Sequence, residues 1–176
     1  MEENFSEITL RPLDLSDVDD FMEWATDDRV SRYCSWEPYT SKKDALNYIR
    51  DIIVPHPWYR AICIHKKPVG AISVKPYFGN DGCRAQVGYG LAFKYWGKGI
   101  ATRAVELAAM IVFKEYPNLE RLEGLVDVDN VGSQRVLEKA GFVREGVLRK
   151  YMIMKDNCRD MVMFSLVATD LRRQMK

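Results

Sequence analysis

The sequence predicts an α+β or mixed α/β fold, in which roughly seven strands form a sheet with helices on its faces. Three observations support this prediction. Helical and strand-like periodicities alternate along the chain, short β-branched runs follow one another in the middle, and a long apolar helix then precedes a strand–helix–strand–strand ending. No repeat, low-complexity run or Gly/Ser linker interrupts the pattern, so we expect a single domain over residues 1–176.

The first part of the chain is predicted to form one strand and two helices. An edge strand begins at Ile8 and ends at Pro12, because proline cannot donate to an inner strand ladder. Residues 16–19 resemble a capping box in front of a first helix, and residues 41–44 resemble a second cap. The second helix carries apolar residues at helical spacing and ends before Pro55.

The rest of the chain is predicted to hold six strands and two helices. Turn-forming compositions separate the first three of these strands, and a polar turn over residues 155–159 separates the last two. In chain order, the predicted elements are strands 59–64, 69–74 and 85–91, helix 99–115, strand 122–128, helix 131–140, and strands 151–154 and 161–167.

Composition excludes several classes of protein. The formal net charge of +1 gives no electrostatic footprint for nucleic acid or for an acidic membrane surface. No stretch approaches the roughly 20 apolar residues that span a bilayer, and the N-terminus lacks a signal-peptide core, so a cytoplasmic or nuclear protein is expected. The four cysteines and two histidines are scattered, which predicts free thiols and neither a metal site nor a catalytic triad.

Two glycines leave one face of the predicted strand 85–91 without side chains at neighbouring positions. Because side chains alternate along a strand, Gly88 and Gly90 lie on the same face. Glycine inside a strand often marks the close approach of a ligand or of another backbone. A bulge or tight sheet packing would explain the same pattern, so this segment alone leaves both interpretations open.

A second glycine motif, Trp96-Gly97-Lys98-Gly99, leads directly into the long helix. The first N–H groups of a helix lack intrahelical acceptors and the dipole favours negative charge, so this loop is a candidate phosphate site. It is neither a P-loop nor a dinucleotide fingerprint, because Ala92 and Thr102 stand where those motifs need glycine. A simple turn is the alternative.

The last motif opens the short helix 131–140. Asn130 is a good N-cap and Gly141 a good residue after the helix, so capping alone explains both. Together with the preceding motifs, however, Asn130-x-x-Ser133 resembles the GNAT superfamily of acyl-CoA N-acyltransferases over nearly the whole chain. Further short motifs resemble its RimJ/RimL branch: Arg11-Pro12-Leu13, Gly88-Tyr89, Tyr95-Trp96-Gly97, and Glu145-Gly146-x-Leu148-Arg149 with Asp160.

This resemblance implies a mostly antiparallel sheet that splays between strands 4 and 5, with helices on both faces. It implies acetyl-CoA as the donor, with the strand-4 backbone against its pantetheine arm and the glycine loop against its pyrophosphate. The implied cofactor-binding residues are Tyr89, Gly90 and Leu91, then Trp96, Gly97, Lys98, Gly99, Ile100, Ala101 and Thr102, and finally Asn130 and Ser133.

The implied reaction is direct attack of an amine on a thioester, which needs a proton acceptor and a donor to the leaving thiolate. Many relatives place a tyrosine where this chain has Leu137, so Ser133 is the candidate proton donor. Gln86 replaces a frequent acid and cannot abstract a proton. A relayed water is then the candidate base, and Asp127 and Asp129 are weaker candidates. The alternative is that Asp127 is only a solvated residue and Asp129 only a turn residue.

By the same resemblance, Trp36 and Tyr39 would shape the acceptor pocket, with Arg149 and Tyr151 on the opposite wall. Core or surface packing is the alternative role for these aromatic residues. The predicted acceptor is a primary amine, such as a protein N-terminal α-amine, a polyamine or another small amine, and the predicted assembly is a monomer or homodimer. The competing hypothesis is a catalytically silent CoA-binding or protein-interaction module.

Overall fold

The computed structural model of the chain describes residues 7–174, with side chains described up to residue 171. In these residues one seven-stranded sheet has the order β1-β2-β3-β4-β5-β7-β6, and only the β4–β5 pair is parallel. The strands are β1 (Ile8–Pro12), β2 (Tyr59–Ile64), β3 (Lys67–Pro76), β4 (Arg84–Leu91), β5 (Arg121–Asp127), β6 (Val143–Met154) and β7 (Asn157–Val167). The helices are α1 (Val18–Ala25), α2 (Asp28–Ser31), α3 (Lys42–Tyr48), α4 (Ile100–Glu115), α5 (Val131–Lys139) and α6 (Ala168–Gln174).

The sheet splits between β4 and β5, as predicted. Their pairing runs from Arg84 beside Arg121 to Val87 beside Gly124 and stops there. Beyond that point, residues 88–91 of β4 pair only with β3, and residues 125–127 of β5 pair only with β7. The two halves of the sheet therefore diverge into a V-shaped opening, called the splay below, between the carboxyl ends of β4 and β5.

Two hydrophobic clusters cover opposite faces of the sheet. On one face, α4 and α5 pack against residues such as Ile62, Ile72 and Val87. On the other face, α1 and α3 pack against Ala61 and the neighbouring strand residues. Because β2 alternates between the two clusters, it is buried on both sides, which explains its continuous apolar sequence. None of the helices over residues 7–174 is long and apolar enough to cross a membrane.

Several predicted boundaries were wrong. Asp14, rather than Ser16, caps the first helical turn, because its carboxylate accepts the Ser16 N–H at 2.7 Å. β6 begins at Val143, eight residues before the predicted start at Tyr151, because backbone pairing with β7 stabilises an exposed, polar segment that lacks apolar alternation. The prediction also missed α2 and α6, which are too short to show a periodic pattern.

α5 approaches β5 very closely at one point. A Cβ built on Gly124 would lie 2.6 Å from Cδ1 of Leu137, which is fully buried. Glycine is therefore required at position 124 for the helix to sit on the strand. Leu137, the position where many relatives have a tyrosine, is a core residue of this contact.

We expect Gly124→Ala to lower the free energy of unfolding by about 1–3 kcal/mol through overpacking. Leu137→Ala should cost about 2–5 kcal/mol because it leaves a cavity. The methyl group that Gly124→Ala adds can occupy part of the space that Leu137→Ala leaves empty. The double variant should therefore lose at least ~1 kcal/mol less stability than the sum of the two single losses. Denaturant unfolding of the four proteins measures this cycle, and strict additivity would contradict the contact.

Candidate active site

The glycine loop before α4 forms an open cradle of backbone amides. Gly97 and Gly99 have φ angles of 73° and 77°, which only glycine adopts at low cost. No heavy atom lies within 4 Å of a Cβ built on either residue. Gly99 is the N-cap of α4 and no side chain caps the helix; the first intrahelical bond starts at the Arg103 N–H. The N–H groups of residues 100–102 are therefore oriented for an anion.

Trp96 ties this loop to the splay. Its indole Nε1–H donates to the Leu91 carbonyl oxygen at 2.9 Å, and its ring packs against Phe93 with 5.1 Å between centroids. Arg29 from α2 lies 3.8 Å above the centroid of Phe93. Trp96 thus places the anion cradle directly beside the end of β4, where the strand has lost its β5 partner.

Ser133 lies at the other rim of the splay, on the helix that follows β5. Its backbone N–H donates to Oδ1 of the N-cap residue Asn130 at 3.1 Å. Its carbonyl oxygen accepts a hydrogen bond of 3.0 Å from the hydroxyl of Tyr89 on β4. Burial raises the pKa of the Tyr89 hydroxyl, so it stays protonated and donates. This pair of bonds holds Ser133 across the opening, while its own Oγ has no hydrogen-bond partner among residues 7–171.

The two candidate acids at the end of β5 are held by one arginine. Arg159 donates to both carboxylate oxygens of Asp127, at 2.7 and 2.9 Å, and to Asp129 at 2.6 Å. The Asp127 side chain is only 2% exposed, so the alternative of a solvated residue was wrong. The hydrogen bonds from Arg159 lower the pKa of Asp127, which makes this carboxylate a poor proton acceptor.

Gln86 lies beside a buried carboxylate that the sequence prediction missed. Register places Glu123 of β5 next to Gln86, and Glu123 is paired with Arg84 at 3.2 Å and with Arg121 at 2.7 Å. The Gln86 side-chain oxygen accepts from the Tyr77 hydroxyl at 3.2 Å. The alternation of charged and apolar residues in β5 was the signal for Glu123, but its partners are Arg84 on β4 and Arg121, two residues earlier in β5.

The predicted acceptor residues lie in two separate places. Trp36 and Tyr39 stack with ring centroids 6.1 Å apart, in a segment that follows α2 and packs on the α1–α3 side of the sheet. Earlier in this segment, the Tyr33 hydroxyl donates to the Asp129 carbonyl oxygen, just after β5, at 3.3 Å.

Arg149 and Tyr151 instead flank a bulge in β6, where three residues oppose Asp160 and the Lys150 N–H donates to its carboxylate at 2.8 Å. An open cavity of about 610 Å³ adjoins this bulge. Burial raises the pKa of the Tyr77 hydroxyl, and the nearby Glu123 and Tyr151 raise it further. No hydrogen bond, ion pair or ring contact joins this bulge to the Trp36–Tyr39 stack in the described part of the chain.

These features have the order and geometry of a known family. A family model described as an acetyltransferase (GNAT) domain matches residues 7–143. The chain belongs to the GNAT family. Its splayed mixed sheet, its glycine loop before α4 and its capped α5 are therefore the GNAT elements that the sequence predicted. The family's reaction class is acyl transfer.

Several known proteins match this GNAT chain over nearly its whole length. The uncharacterized N-acetyltransferase p20 of Bacillus licheniformis is 31% identical over 173 residues, which cover 95% of this chain and 97% of that protein. Mycobacterium smegmatis RimJ in complex with CoA-disulfide is 26% identical, with a TM-score of 0.77 over 93% of this chain and 83% of that one. The microcin C7 self-immunity acetyltransferase MccE, in complex with acetyl-CoA and AMP, shares the fold at 23% identity and a TM-score of 0.80, covering 92% of both chains.

The Asp127–Arg159 pair leads to a prediction about stability and pH. Because the folded pKa of Asp127 lies below its unfolded value, its contribution is present above about pH 4 and is lost as the pH falls through the folded pKa. We expect Asp127→Asn to lower the free energy of unfolding by about 2 kcal/mol at pH 7 and by clearly less near pH 3. Urea unfolding at both pH values measures the difference.

Asp51→Asn is the matched control for this prediction. Asp51 also pairs with an arginine, Arg50, but both side chains are more than half exposed, at 56% and 59%. Solvent screens such a pair, so this substitution should leave stability unchanged at either pH. Equal losses from the two substitutions would contradict a buried role for Asp127.

Proposed function

We propose that this GNAT protein transfers an acetyl group from acetyl-CoA directly to a primary amine. A protein N-terminal α-amine, a polyamine or another small amine is the proposed acceptor. The observation that carries the proposal is the fixed position of Ser133, which Tyr89 and Asn130 hold across the splay, next to the amide cradle of the Gly97–Gly99 loop. A turn with a purely structural role would not need both an open cradle of backbone amides and a serine whose backbone is held in place at the same opening.

The residues around the splay fit an acyl-CoA. The unpaired end of β4 offers backbone groups of residues 89–91 to an extended arm, and the cradle offers unbonded amides and open space to phosphates. We assign the binding of acetyl-CoA to these two segments, with Asn130 and Ser133 at the second rim. Acetyl-CoA supplies the activated acetyl group.

Ser133 is proposed to supply the proton that the departing sulfur needs, and its Oγ then takes a proton back from solvent water. Its Oγ has no hydrogen-bond partner among the described residues, and its backbone is held on both sides. A proton acceptor is also required for the attacking amine. Asp127 is bound to Arg159, so we assign this step to water at the Gln86–Tyr77 pair, which carries the proton away from the amine to solvent.

The test is release of CoA from acetyl-CoA in the presence of a panel of primary amines, with the acetylated products identified by mass spectrometry. The expected result is amine-dependent CoA release and a product heavier by one acetyl group. Binding of CoA should be measured on the same preparation by calorimetry.

A silent CoA-binding module is the competing function, and a specific observation favours it. Gln86 carries no acid, Leu137 is buried in the core, and Asp127 is ion-paired. If the protein binds CoA normally but acetylates none of the amines, this competing function replaces the proposed one.

A further inference from the structure

One row of the sheet connects the splay to a group of tyrosines. Register pairs Gly88 of β4 with Ser73 of β3, and Ser73 with Tyr59 of β2, so the three lie on one face. Ser73 Oγ is 3.6 Å from a Cβ built on Gly88, which confirms that they share this face. Gly88 is exposed, whereas Ser73 and Tyr59 are half-buried. The row therefore marks a path of about 10 Å, two strand spacings, along the sheet from the splay to Tyr59.

Three tyrosines, called the tyrosine cluster below, gather at the far end of this path: Tyr39, Tyr48 and Tyr59. The rings of Tyr39 and Tyr48 are 5.4 Å apart between centroids. Tyr59 packs against the same hydrophobic cluster as Tyr39 and Tyr48. Burial raises the pKa of the Tyr59 hydroxyl, and the nearby Tyr48 and Tyr39 raise it further. Burial likewise raises the pKa of Tyr39 to about 12. All three are neutral hydroxyls at physiological pH.

These hydroxyls are unused within the described structure. Tyr33, Tyr77 and Tyr89 each donate a hydrogen bond to a named acceptor. By contrast, no hydroxyl of the tyrosine cluster has a hydrogen-bond partner among residues 7–171. No fully buried polar side-chain atom in that range lacks a partner either, so each of the three hydroxyl oxygens retains some solvent-accessible surface. The cluster thus offers O–H donors to an entering group.

The surroundings of the cluster do not suit a second ammonium group. No carboxylate is hydrogen-bonded to it among the described residues. Asp44, whose charge contributes to the raised pKa of Tyr39, is exposed and accepts from Ser41 Oγ at 2.6 Å. Burial raises the pKa of the adjoining Cys34 to about 11, and the cation of Lys155 opposes this rise.

The ring faces are also occupied. Trp36 covers Tyr39, and Phe21 stacks on Tyr48 with centroids 6.1 Å apart. Cation–π binding needs an open ring face, and these faces pack against one another instead. What remains available is the hydroxyl edge of the cluster, which hydrogen-bonds to oxygen.

We propose that the tyrosine cluster binds an uncharged, oxygen-bearing part of the acceptor, carbonyl or hydroxyl, about 10 Å from the amine that is acetylated. This inference rests on the proposed acetyl transfer and narrows its acceptor: amines with carbonyl or hydroxyl oxygens along their length are preferred over diamines and polyamines.

The test compares four acceptors of the full chain with acetyl-CoA: triglycinamide and 8-amino-1-octanol as oxygen-bearing amines, and 1,8-diaminooctane and spermidine as amines with a distal ammonium. In each of them an extended chain can place the distal group about 10 Å or more from the reacting amine. We expect kcat/KM for at least one oxygen-bearing acceptor to exceed that for both acceptors with a distal ammonium by tenfold or more. The better of triglycinamide and 8-amino-1-octanol identifies a carbonyl or a hydroxyl source of the oxygen. Faster acetylation of 1,8-diaminooctane and spermidine overturns the inference and leaves the proposed function intact.

Removal of the hydroxyls gives the second part of the test. Tyr48→Phe/Tyr59→Phe should raise KM for the preferred acceptor about three- to tenfold, with little change in kcat or in KM for acetyl-CoA. Tyr116→Phe is the matched control, because this residue packs on the α4 side of the sheet and its hydroxyl has no hydrogen-bond partner among the described side chains. An unchanged acceptor preference in the double variant would also overturn the inference. CoA binding without acetylation of any of the four amines would overturn both this inference and the proposed function.

Discussion

Substitution of Ser133 by alanine is expected to lower kcat by about 100-fold while acetyl-CoA still binds. A positioned proton donor increases the rate by a factor of about 10²–10⁴. Ser133 carries the hydroxyl that two backbone hydrogen bonds position at the splay. The substitution removes only the Oγ atom, because both bonds that hold the residue involve its backbone. Steady-state turnover and calorimetric titration with CoA measure the two effects separately.

Two further variants check that the loss comes from the hydroxyl. Ser133→Thr keeps a hydroxyl at the same helical position and should recover part of the turnover. Tyr89→Phe removes the 3.0 Å bond to the Ser133 carbonyl and should lower kcat by a smaller factor, because Ser133 is then only less well positioned. If Ser133→Ala turned over like the parent protein, the proton donor would have to be another group.

The largest effect on donor binding is expected from Gly99→Ala. A non-glycine residue at a φ of 77° costs about 1–2 kcal/mol, so the loop would relax away from this conformation. Relaxation turns the N–H groups of the first α4 turn away from the pyrophosphate position. We expect the Kd for acetyl-CoA to rise about tenfold or more, and calorimetry with CoA provides the measurement.

Gly79→Ala is a closely matched control. Gly79 also has a positive φ, 62°, and no heavy atom near a built Cβ, but it lies in the β3–β4 connection at the opposite end of β4. The backbone cost is the same, so both variants should lose similar stability. Only Gly99→Ala should lose affinity for CoA; a similar loss in Gly79→Ala would show that general destabilisation, rather than the cradle, is responsible.

The candidate site was predicted where its signals are local. The glycine loop, the Asn130 cap and the stripped face of β4 each lie within a few consecutive residues, so their spacing is visible in one dimension. Leu137 shows the limit of such reasoning. The sequence identifies it as a departure from its relatives, but only the structure shows that it fills the space above Gly124.

What the sequence alone determined was the set of elements that local interactions form. Helical periodicity, N-caps and the turn residues between strands depend on neighbours a few positions apart, so the order of elements and the anion cradle could be predicted. The family resemblance added the splay and the cofactor.

Tertiary structure alone decided which side chains meet across the chain. Arg159 pairs with Asp127, 32 residues earlier, and so removes a candidate base. Tyr39, Tyr48 and Tyr59 come from a loop, a helix and a strand and meet only when α3 packs onto β2. These encounters depend on strand register and on packing between distant segments, for which a single sequence carries no periodic signal. The proposed proton path and the proposed acceptor class rest on them, whereas the sequence left both open.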